Sequence, residues 1–504
     1  MKKWGPLFVL SLALAIVIID TTLLNVSLST LIRELHTNLQ SLQWVISVYS
    51  LTLAAFTVTG GRMGDLFGRK RMFCLGAILF AIGSFVASIS NNIPTLLLGE
   101  SIIEGIGASL MMPATASLLV ARYRGHDRAL AFGIWGGVAA AASAIGPIVG
   151  GFLTTHFSWR WGFRINVFVV AALLLGSLLI EDTQPRQPKR IDFTGVFLSA
   201  LGLFLIVFGI IESPTYGWLG TPPVVPLSIG AGIVIIVLFA LWERRLERRG
   251  GTPIVSMRLF RNTAFLSGAS ITACLMLAQN GVIFLLPVFL QSVLALDAFH
   301  TGVALLPMSI GLLIFSPLGG VLTKHITHKH LVQTGLVINI IALLVLYFTL
   351  GRSASITTLI PGLALYGVGL GFVLSQVNNL TLSAVPVSEA GEASGVSNTF
   401  RQIGASLGAA LIGAVLLNTI VFRLDASLHT LPPAEQAQVR KVLREQPTSI
   451  AFGTPELFRK PDLARVRAEA TTEGNRSALL YGAGFAVLAL LVSTKLPQRA
   501  AQHE

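Results

Sequence analysis

The sequence predicts an all-α membrane protein with about fourteen membrane-spanning helices. Of its 504 residues, 53% are hydrophobic and only 12% are charged, and the mean hydropathy is +0.75. A soluble protein of this length carries about twice that share of charged residues on its surface. The apolar residues also form long runs, and about 20 of them in a helix cross a hydrocarbon core of about 30 Å. Most of this apolar surface is therefore expected to face lipid.

The apolar runs set the approximate bounds of the spans. They lie near residues 6–28, 43–61, 73–91, 95–120, 129–155, 162–180, 193–211, 223–242, 264–290, 301–322, 331–350, 355–377, 394–419 and 476–495. The first run follows Lys2 and Lys3, as in a signal peptide. It continues to about Leu28 without a convincing small-residue cleavage site and contains Asp20, so it is interpreted as a retained first helix.

The basic residues predict the orientation. With both termini on the cytoplasmic side, 22 Lys and Arg fall on inner segments, and only Arg33, Arg160, Arg164 and Arg352 fall on short outer loops. This asymmetry is typical of multi-pass proteins of the cytoplasmic membrane. Although the net charge is +13, it lies in short clusters between spans, which argues against nucleic-acid binding.

The sequence argues against an enzyme and against an ATP-driven pump. It contains no Walker loop, no nucleophile elbow and no zinc signature. Its two cysteines, Cys74 and Cys274, lie inside apolar runs and offer neither a disulfide framework nor a metal spacing. We therefore expect no cofactor and no metal site.

The loop between the second and third spans carries the most specific pattern. Glycines, one acidic residue and basic residues follow the spacing G-x-x-x-D-x-x-G-R-[KR]: Gly61, Asp65, Gly68, Arg69, Lys70 and Arg71. The glycines permit a tight turn, and Asp65 is expected to cap the next helix and pair with nearby basic groups.

A second pattern of small residues lies in the fifth span. Its members are Gly133, Ala142, Gly146, Pro147, Gly150 and Gly151. Small residues let helices approach closely, and a proline bends the helix that contains it. A third pattern begins at Asp20 and continues to Val26 in the outer half of the first span.

With these three patterns, the chain resembles the major facilitator superfamily. The loop matches the signature of the superfamily. The fifth-span pattern resembles the antiporter motif of its drug-exporting branches, with Ala142 where glycine is usual. The stretch from Asp20 to Val26 resembles the acidic first-helix motif of the fourteen-helix drug:proton antiporter family.

The resemblance implies an architecture and an activity. Two six-helix bundles are expected at 1–180 and 263–495, with two extra helices and linkers at 181–262, a long outside loop at 420–476 and a cytoplasmic tail at 496–504. The bundles are expected to rock around a midplane site. The implied activity is proton-coupled export of amphipathic or cationic drugs by a monomer, with membrane lipids, protons and small substrates as partners.

Four ionisable residues lie deep in the predicted spans: Asp20, Glu100, Glu104 and Arg401. Each charge near the bilayer centre costs about 2.5–3.5 kcal/mol, so these groups must be neutralised, paired or wetted by a cavity. Glu100 and Glu104 are four residues apart and share a helix face, where low dielectric and mutual repulsion disfavour the charged forms. The three carboxyls are thus candidates for proton coupling or for binding a cationic substrate. The alternative for Glu100 and Glu104 is a structural ion pair, for example with Arg401. Arg401 is accordingly a candidate for such an ion pair or for a part in proton coupling.

The fourth span departs from the pattern of the resembled family. That family commonly has R-x-x-Q-G-x-G there, and this chain has Ser101 at the arginine position and Glu104 at the glutamine position. In the resembled family, that arginine is tied to proton coupling. The sequence therefore does not support a proton relay that uses an arginine at this position. Our hypothesis is that Glu104 provides a second protonatable site.

Three other functions remain open at the level of sequence. A transporter of lipids or cell-envelope precursors, or a proton-coupled importer of metabolites, could use the same fold. The Gly146-Pro147 pattern counts against import. A transporter-derived sensor that moves nothing is the third alternative.

The hypothesis for Glu104 is tested by Glu104→Gln. Because glutamine cannot take up a proton at this position, the variant should change the pH dependence or the proton coupling of transport. The measurement is transport as a function of pH in cells and in proteoliposomes. Proton-coupled transport identical to that of the wild type would contradict the assignment.

Overall fold

The computed structural model shows a bundle of long helices. It describes residues 3–123, 125–181, 192–251, 253–254, 258–323, 325–351, 354–385, 390–427, 436, 439 and 461–498. Within these residues there is no β-strand, and fourteen helices are long and apolar enough to cross a membrane. The predicted fold class and number of spans are confirmed. Several basic residues used for the orientation, including Arg124, Arg186, Arg190 and Arg352, lie outside the described residues, as does most of the segment 428–460.

The fourteen helices are numbered in chain order. They are α1 Gly5–Val26, α2 Leu39–Phe67, α3 Arg69–Ser88, α4 Ile93–Leu96 continued by Leu97–Glu104 and Gly105–Arg122, α5 Gly125–His156, α6 Arg160–Gly176, α7 Phe193–Ile211, α8 Val224–Arg248, α9 Thr263–Ser292, α10 Ala298–Ala304 continued by Leu306–Leu322, α11 His328–Thr349, α12 Ile356–Ser383, α13 Ala390–Ala426 and α14 Pro461–Ser493. A short helix, Leu28–Glu34, follows α1.

Several helices begin at polar caps that the sequence supplies locally. The side chain of Asn38 accepts a hydrogen bond from the backbone of Ser41 at 2.8 Å at the start of α2. Asn92 caps α4 in the same way, and Asn262 caps α9. Such caps satisfy backbone donors that have no partner within the helix.

The helices associate in two groups. In the first, α1 packs against α5 and α6, while α4 packs against α2 and α3; in the second, α9 packs against α13 and α14, and α12 against α10 and α11. The two groups meet where α2 packs on α13 and α5 packs on α10. The face of the bundle that carries both chain termini is called the terminal face below, and the opposite face is called the distal face. The predicted boundaries of the four chain segments, 1–180, 181–262, 263–495 and 496–504, stay predictions.

The two extra helices, α7 and α8, pair with each other, and α7 lies on the seam between α2 and α13. At the distal end of α7, Gln40 of α2 donates to the carbonyl oxygen of Ile211 at 2.9 Å, and Trp44 donates to Glu212 at 2.9 Å. Asn418 of α13 donates to the hydroxyl of Ser213 at 3.1 Å. The α7–α8 pair is therefore attached to both groups of helices.

The last two spans are longer than the apolar runs predict. α13 continues to Ala426 and α14 begins at Pro461, so both ends of the predicted outside loop, 420–476, are helical. The added turns are polar and carry ion pairs, such as Arg423 with Glu473 at 3.3 Å and Arg465 with Glu469 at 3.1 Å. Hydropathy marks where a helix leaves the hydrocarbon, and such a helix can continue into the polar region beyond it.

Glycines bring α3 and α4 into backbone contact. A Cβ atom on Gly107 of α4 would overlap the backbone nitrogen of Phe80, and a Cβ on Gly83 of α3 would lie 2.6 Å from the carbonyl oxygen of Gly99. These contacts exclude larger side chains because neither backbone can move without displacing its whole helix.

We predict that Gly107→Ala destabilises the protein by about 1–3 kcal/mol, because the added methyl group must push α3 and α4 apart. The matched control is Gly230→Ala in α8, where a Cβ atom would have nothing within 4 Å. The measurement is the midpoint of thermal unfolding of the purified protein in detergent. Equal midpoints for the two variants would contradict the tight α3–α4 contact.

Candidate functional site

Two buried carboxyl groups meet in the middle of the first group of helices. Asp20 of α1 is 1% exposed and Glu104 of α4 is 0% exposed. The side-chain nitrogen of Asn166 in α6 donates to Asp20 Oδ1 at 2.8 Å, and it lies 3.3 Å from Glu104 Oε1 and 3.1 Å from the hydroxyl oxygen of Ser84 in α3. Side chains from four helices thus form one polar cluster, called the carboxyl cluster below.

The surroundings of the carboxyl cluster favour a proton on one of its two acids. The Asp20 and Glu104 carboxyls both lie within hydrogen-bonding distance of one nitrogen, Asn166 Nδ2. Among the described residues, no donor reaches Asp20 Oδ2 or Glu104 Oε2. Two ionised carboxylates around one donor would repel each other at low dielectric, and a proton on either acid removes one of the two charges.

The third carboxyl, Glu100, lies near this cluster but has its own partner. The hydroxyl of Ser101 lies 2.8 Å from Glu100 Oε2 and 2.8 Å from the carbonyl oxygen of Val45 in α2. A hydroxyl has one hydrogen and can serve only one of these acceptors at a time. If that hydrogen goes to Val45, a protonated Glu100 can donate to Ser101. The serine at the family's arginine position therefore links Glu100 to α2.

The fourth helix has a π-helical stretch at this point, Leu97–Glu104, which contains both glutamates. Such stretches widen the helix and are frequent at functional sites. Gly83 of α3 permits the widened segment, because a Cβ there would lie 2.5 Å from the backbone nitrogen of Glu104. Glu100 and Glu104 consequently have different surroundings, although both were predicted on one helix face.

A central cavity of about 300 Å³ lies between the two groups of helices. Glu100 and Tyr49 line it on one side, and Arg401, Gln279 and Asn280 line it on the other. Asp20 and Glu104 do not line the cavity themselves, although Thr21 and Glu100, which lie close to them in α1 and α4, do. The phenol oxygen of Tyr49 is buried and has no hydrogen-bond partner within the described part of the chain.

The cavity is closed at the distal face. Gln291 of α9 donates to the carbonyl oxygen of Val26 at 2.7 Å and accepts from the backbone of Ser29 at 3.0 Å. The backbone of Phe299 in α10 donates to Thr155 of α5 at 3.1 Å. Toward the terminal face, the cavity extends along the second halves of α2 and α4 and the first halves of α5 and α13; the lining residues there are Thr57, Met112, Trp135 and Asn398.

The small residues of α5 form part of this closure. A Cβ atom on Gly146 would overlap the hydroxyl of Thr22 in α1, and one on Gly151 would overlap the carbonyl oxygen of Ala298 in α10. Gly302 of α10 approaches the carbonyl oxygen of Pro147 equally closely. The other members of the pattern lie in the same helix: Gly133, Ala142 and Gly150. The motif thus brings α5 against α1 and against α10.

The loop predicted between α2 and α3 is a sharp corner. α2 continues to Phe67, and Gly68 has a φ of 100°, which favours glycine. Gly68 occupies the N-cap position before α3. The Asp65 side chain, which was predicted to cap this helix and to pair with nearby basic groups, lies outside the described atoms. Arg69 donates to the carbonyl oxygen of Ser117 in α4 at 3.2 Å, and Arg62 donates to that of Pro253. The remaining basic residues of the motif, Lys70 and Arg71, lie in the first turn of α3.

Arg401 does not form the structural ion pair considered for the glutamates. No ion pair or hydrogen bond joins it to any residue that the structure describes, and it lines the cavity wall formed by the second group of helices. The proposed pairing with Glu100 or Glu104 is therefore absent among those residues.

Three members of the site were not predicted as such: Asn166, Ser84 and Tyr49. Asn166 is a polar residue within an apolar run of the sequence. This was the only signal for it. Ser84 and Tyr49 lack even that signal, because serine and tyrosine are common in membrane helices.

Taken together, the two groups of helices, the central cavity and the buried carboxyls define a multi-pass membrane transporter. The chain belongs to the Major Facilitator Superfamily, whose model matches residues 10–409. The resemblance stated from the sequence is thereby confirmed.

Its relatives and structural neighbours agree with this placement. The "Multidrug resistance protein Stp" of Mycobacterium tuberculosis (strain CDC 1551 / Oshkosh) is 31% identical over 84% of this chain and 77% of that protein. The "Puromycin resistance protein pur8" of Streptomyces alboniger is 30% identical over 94% of this chain and 92% of that protein. The crystal structure of a bacterial homolog of the human lysosomal transporter Spinster, inward-facing and unoccupied, matches with a TM-score of 0.66 at 15% identity, covering 100% and 99% of the two chains. At that identity, it shows the fold alone.

We predict that Asp20→Asn and Glu104→Gln have non-additive effects on stability, since the two carboxyls share the Asn166 donor and repel each other when both are ionised. Their coupling should be about 1 kcal/mol or more. The measurement is the free energy of unfolding of the single and double variants by denaturant in detergent.

The matched control combines Asp20→Asn with Glu473→Gln, which removes a partly exposed carboxylate of α14. That pair should be additive within about 0.5 kcal/mol. Equal additivity for both pairs would show that the carboxyl cluster does not act as a unit.

Proposed function

We propose that this protein is a proton-coupled exporter of amphipathic and cationic drugs, acting as an antiporter in the cytoplasmic membrane. The observation that carries the proposal is the pair of buried carboxyls, Asp20 and Glu104, which the side-chain nitrogen of Asn166 joins next to the cavity-lining residue Thr21. A buried pair that holds one proton can release it when the surrounding helices move. Movement of the cavity wall and release of the proton are then mechanically linked.

The direction of the cavity supports export. The distal face is closed by Gln291 and by the α5–α10 contact, and the cavity extends toward the terminal face. The distribution of Lys and Arg predicts that the terminal face is cytoplasmic. In this conformation, the protein would load its substrate from the cytoplasm, and rocking of the two groups of helices would release it outside.

The names of the relatives support drugs as the cargo. Stp is named for multidrug resistance and pur8 for puromycin resistance. The cavity agrees with amphipathic compounds, because apolar side chains such as Val17, Leu53 and Met276 line it beside a few polar ones. Glu100 in the wall would attract a cationic group.

The free energy of proton entry is sufficient for such export. A proton moving through about 150 mV releases about 3.5 kcal/mol. Moving a neutral compound against a hundredfold gradient costs about 2.7 kcal/mol. One-for-one exchange with a monovalent cation moves no net charge and uses the pH gradient alone, so more than one protonatable carboxyl is useful for cationic cargo. We propose a monomer in contact with membrane lipids, without a cofactor and without a nucleic-acid partner.

We predict that cells expressing this chain export ethidium, and that a protonophore abolishes this export. In Asp20→Asn, the carboxyl cluster can no longer exchange its proton, so efflux should fall to the level of cells without the protein. The measurement is ethidium fluorescence in energised cells, with the amount of protein in the membrane checked.

The control variant is Asp425→Asn, the same chemical change at an exposed position near the end of α13. It should retain efflux. Protonophore-sensitive efflux that persists in Asp20→Asn would overturn the role of the carboxyl cluster. Absence of efflux in the wild type would overturn ethidium-like cations as cargo.

A further inference from the structure

Arg401 is a basic side chain in the wall of the central cavity, and no described residue forms a hydrogen bond or an ion pair with it. It lies in α13, on the opposite wall from Glu100, beside Gln402, Gln279 and Asn280. In the part of the chain that the structure describes, no side chain or carbonyl oxygen accepts a hydrogen bond from it, and no carboxylate pairs with it. Its five donors therefore remain available to the contents of the cavity.

An arginine inside a membrane protein costs free energy of insertion unless its charge is hydrated or paired with an anionic group. A guanidinium is ionised at every physiological pH, so it cannot become neutral as a buried carboxyl can. Intramembrane arginines accordingly face water-filled cavities or bind anionic groups. The planar guanidinium also matches a carboxylate or a similar acidic group through two parallel hydrogen bonds.

The two cavity walls have opposite chemistry. The wall of the first group of helices presents Glu100, whose carboxyl contacts Ser101, and the facing wall presents Arg401. Apolar residues, including Leu14, Val17 and Met276, lie around them. A zwitterionic molecule with an apolar body can place its cationic group near Glu100 and its acidic group at Arg401, so it matches this arrangement better than a cation without an acidic group.

A coupling role would require Arg401 to contact the proton-bearing groups. Asp20 and Glu104 contact Asn166 and Ser84 within the first group of helices, and Arg401 belongs to the second group. The Arg401 guanidinium and the carboxyl cluster thus belong to different groups of helices.

We infer that Arg401 is a substrate-binding residue, which recognises an acidic group on otherwise amphipathic cargo. The inference rests on the proposed export function and specifies its substrate class: among cationic amphiphiles, those that also carry an acidic group are bound in preference to cations of the same shape without one. Arg401 then determines specificity, while the carboxyl cluster carries the proton.

The test compares two dyes with the same ring system. Rhodamine 110 has a free carboxyl group, and rhodamine 123 is its methyl ester and a permanent cation. Binding of each dye to the purified protein is measured by fluorescence anisotropy, and efflux of each is measured in cells. The wild type should bind rhodamine 110 more tightly, and Arg401→Gln should remove about a tenfold preference or more, since a charged hydrogen bond is lost.

Two further variants interpret the result. Arg401→Lys keeps the charge without the planar fork, so it should retain part of the preference and also guards against misfolding of the glutamine variant. Arg465→Gln makes the same change at an exposed position of α14 and should leave the preference intact. Equal loss of both dyes in Arg401→Gln and Arg401→Lys would overturn the inference, as would a wild type without preference. Preferential binding without efflux of either dye would leave the binding site standing and count against the export function.

Discussion

The cost of a charge inside the bilayer is the constraint on which the rest of this structure depends. Asp20 and Glu104 are buried around one donor, Asn166, and no described cation pairs with either carboxyl, so burial and mutual repulsion favour a proton on one of the two acids. Asn166 and Ser84 supply the remaining polar contacts from two further helices. Four helices must therefore keep their positions for the cluster to exist, which ties the packing of the first group of helices to the protonation of one site.

Close backbone packing provides the second requirement. Gly83 and Gly107 allow α3 and α4 to touch, and the π-helical stretch of α4 directs Glu100 toward the cavity while Glu104 faces Asp20. The glycines of α5 play the same role at the distal face, where Gly151 meets α10. Contacts of this kind depend on shape and not on the hydrophobic effect, because lipid solvates apolar side chains as well as another helix does. Such interfaces can form and separate during a transport cycle.

The two walls of the cavity divide the work of the proposed exporter. Proton exchange would take place behind one wall, in the carboxyl cluster, and recognition of an acidic group would take place on the other, at Arg401. Separate sites on separate bodies would let cargo vary while the proton site stays the same. The α7–α8 pair contacts both bodies through Gln40, Trp44 and Asn418, so it lies across the seam that opens and closes.

Local properties of the sequence determined the class of this protein, the fourteen spans and the choice of Asp20, Glu100, Glu104 and Arg401 as the ionisable residues to explain. Hydropathy and insertion cost depend on composition along one helix, so no knowledge of neighbouring helices is needed for them. The tertiary structure decided which of these residues meet. In the structure, Asn166 contacts both Asp20 and Glu104, and Ser101 contacts Glu100. Arg401 lies in the cavity wall, whereas the sequence allowed an ion pair between Arg401 and either glutamate. Such partnerships depend on the rotation and depth of each helix against its neighbours, which packing across the whole bundle sets and the period of a single helix does not contain.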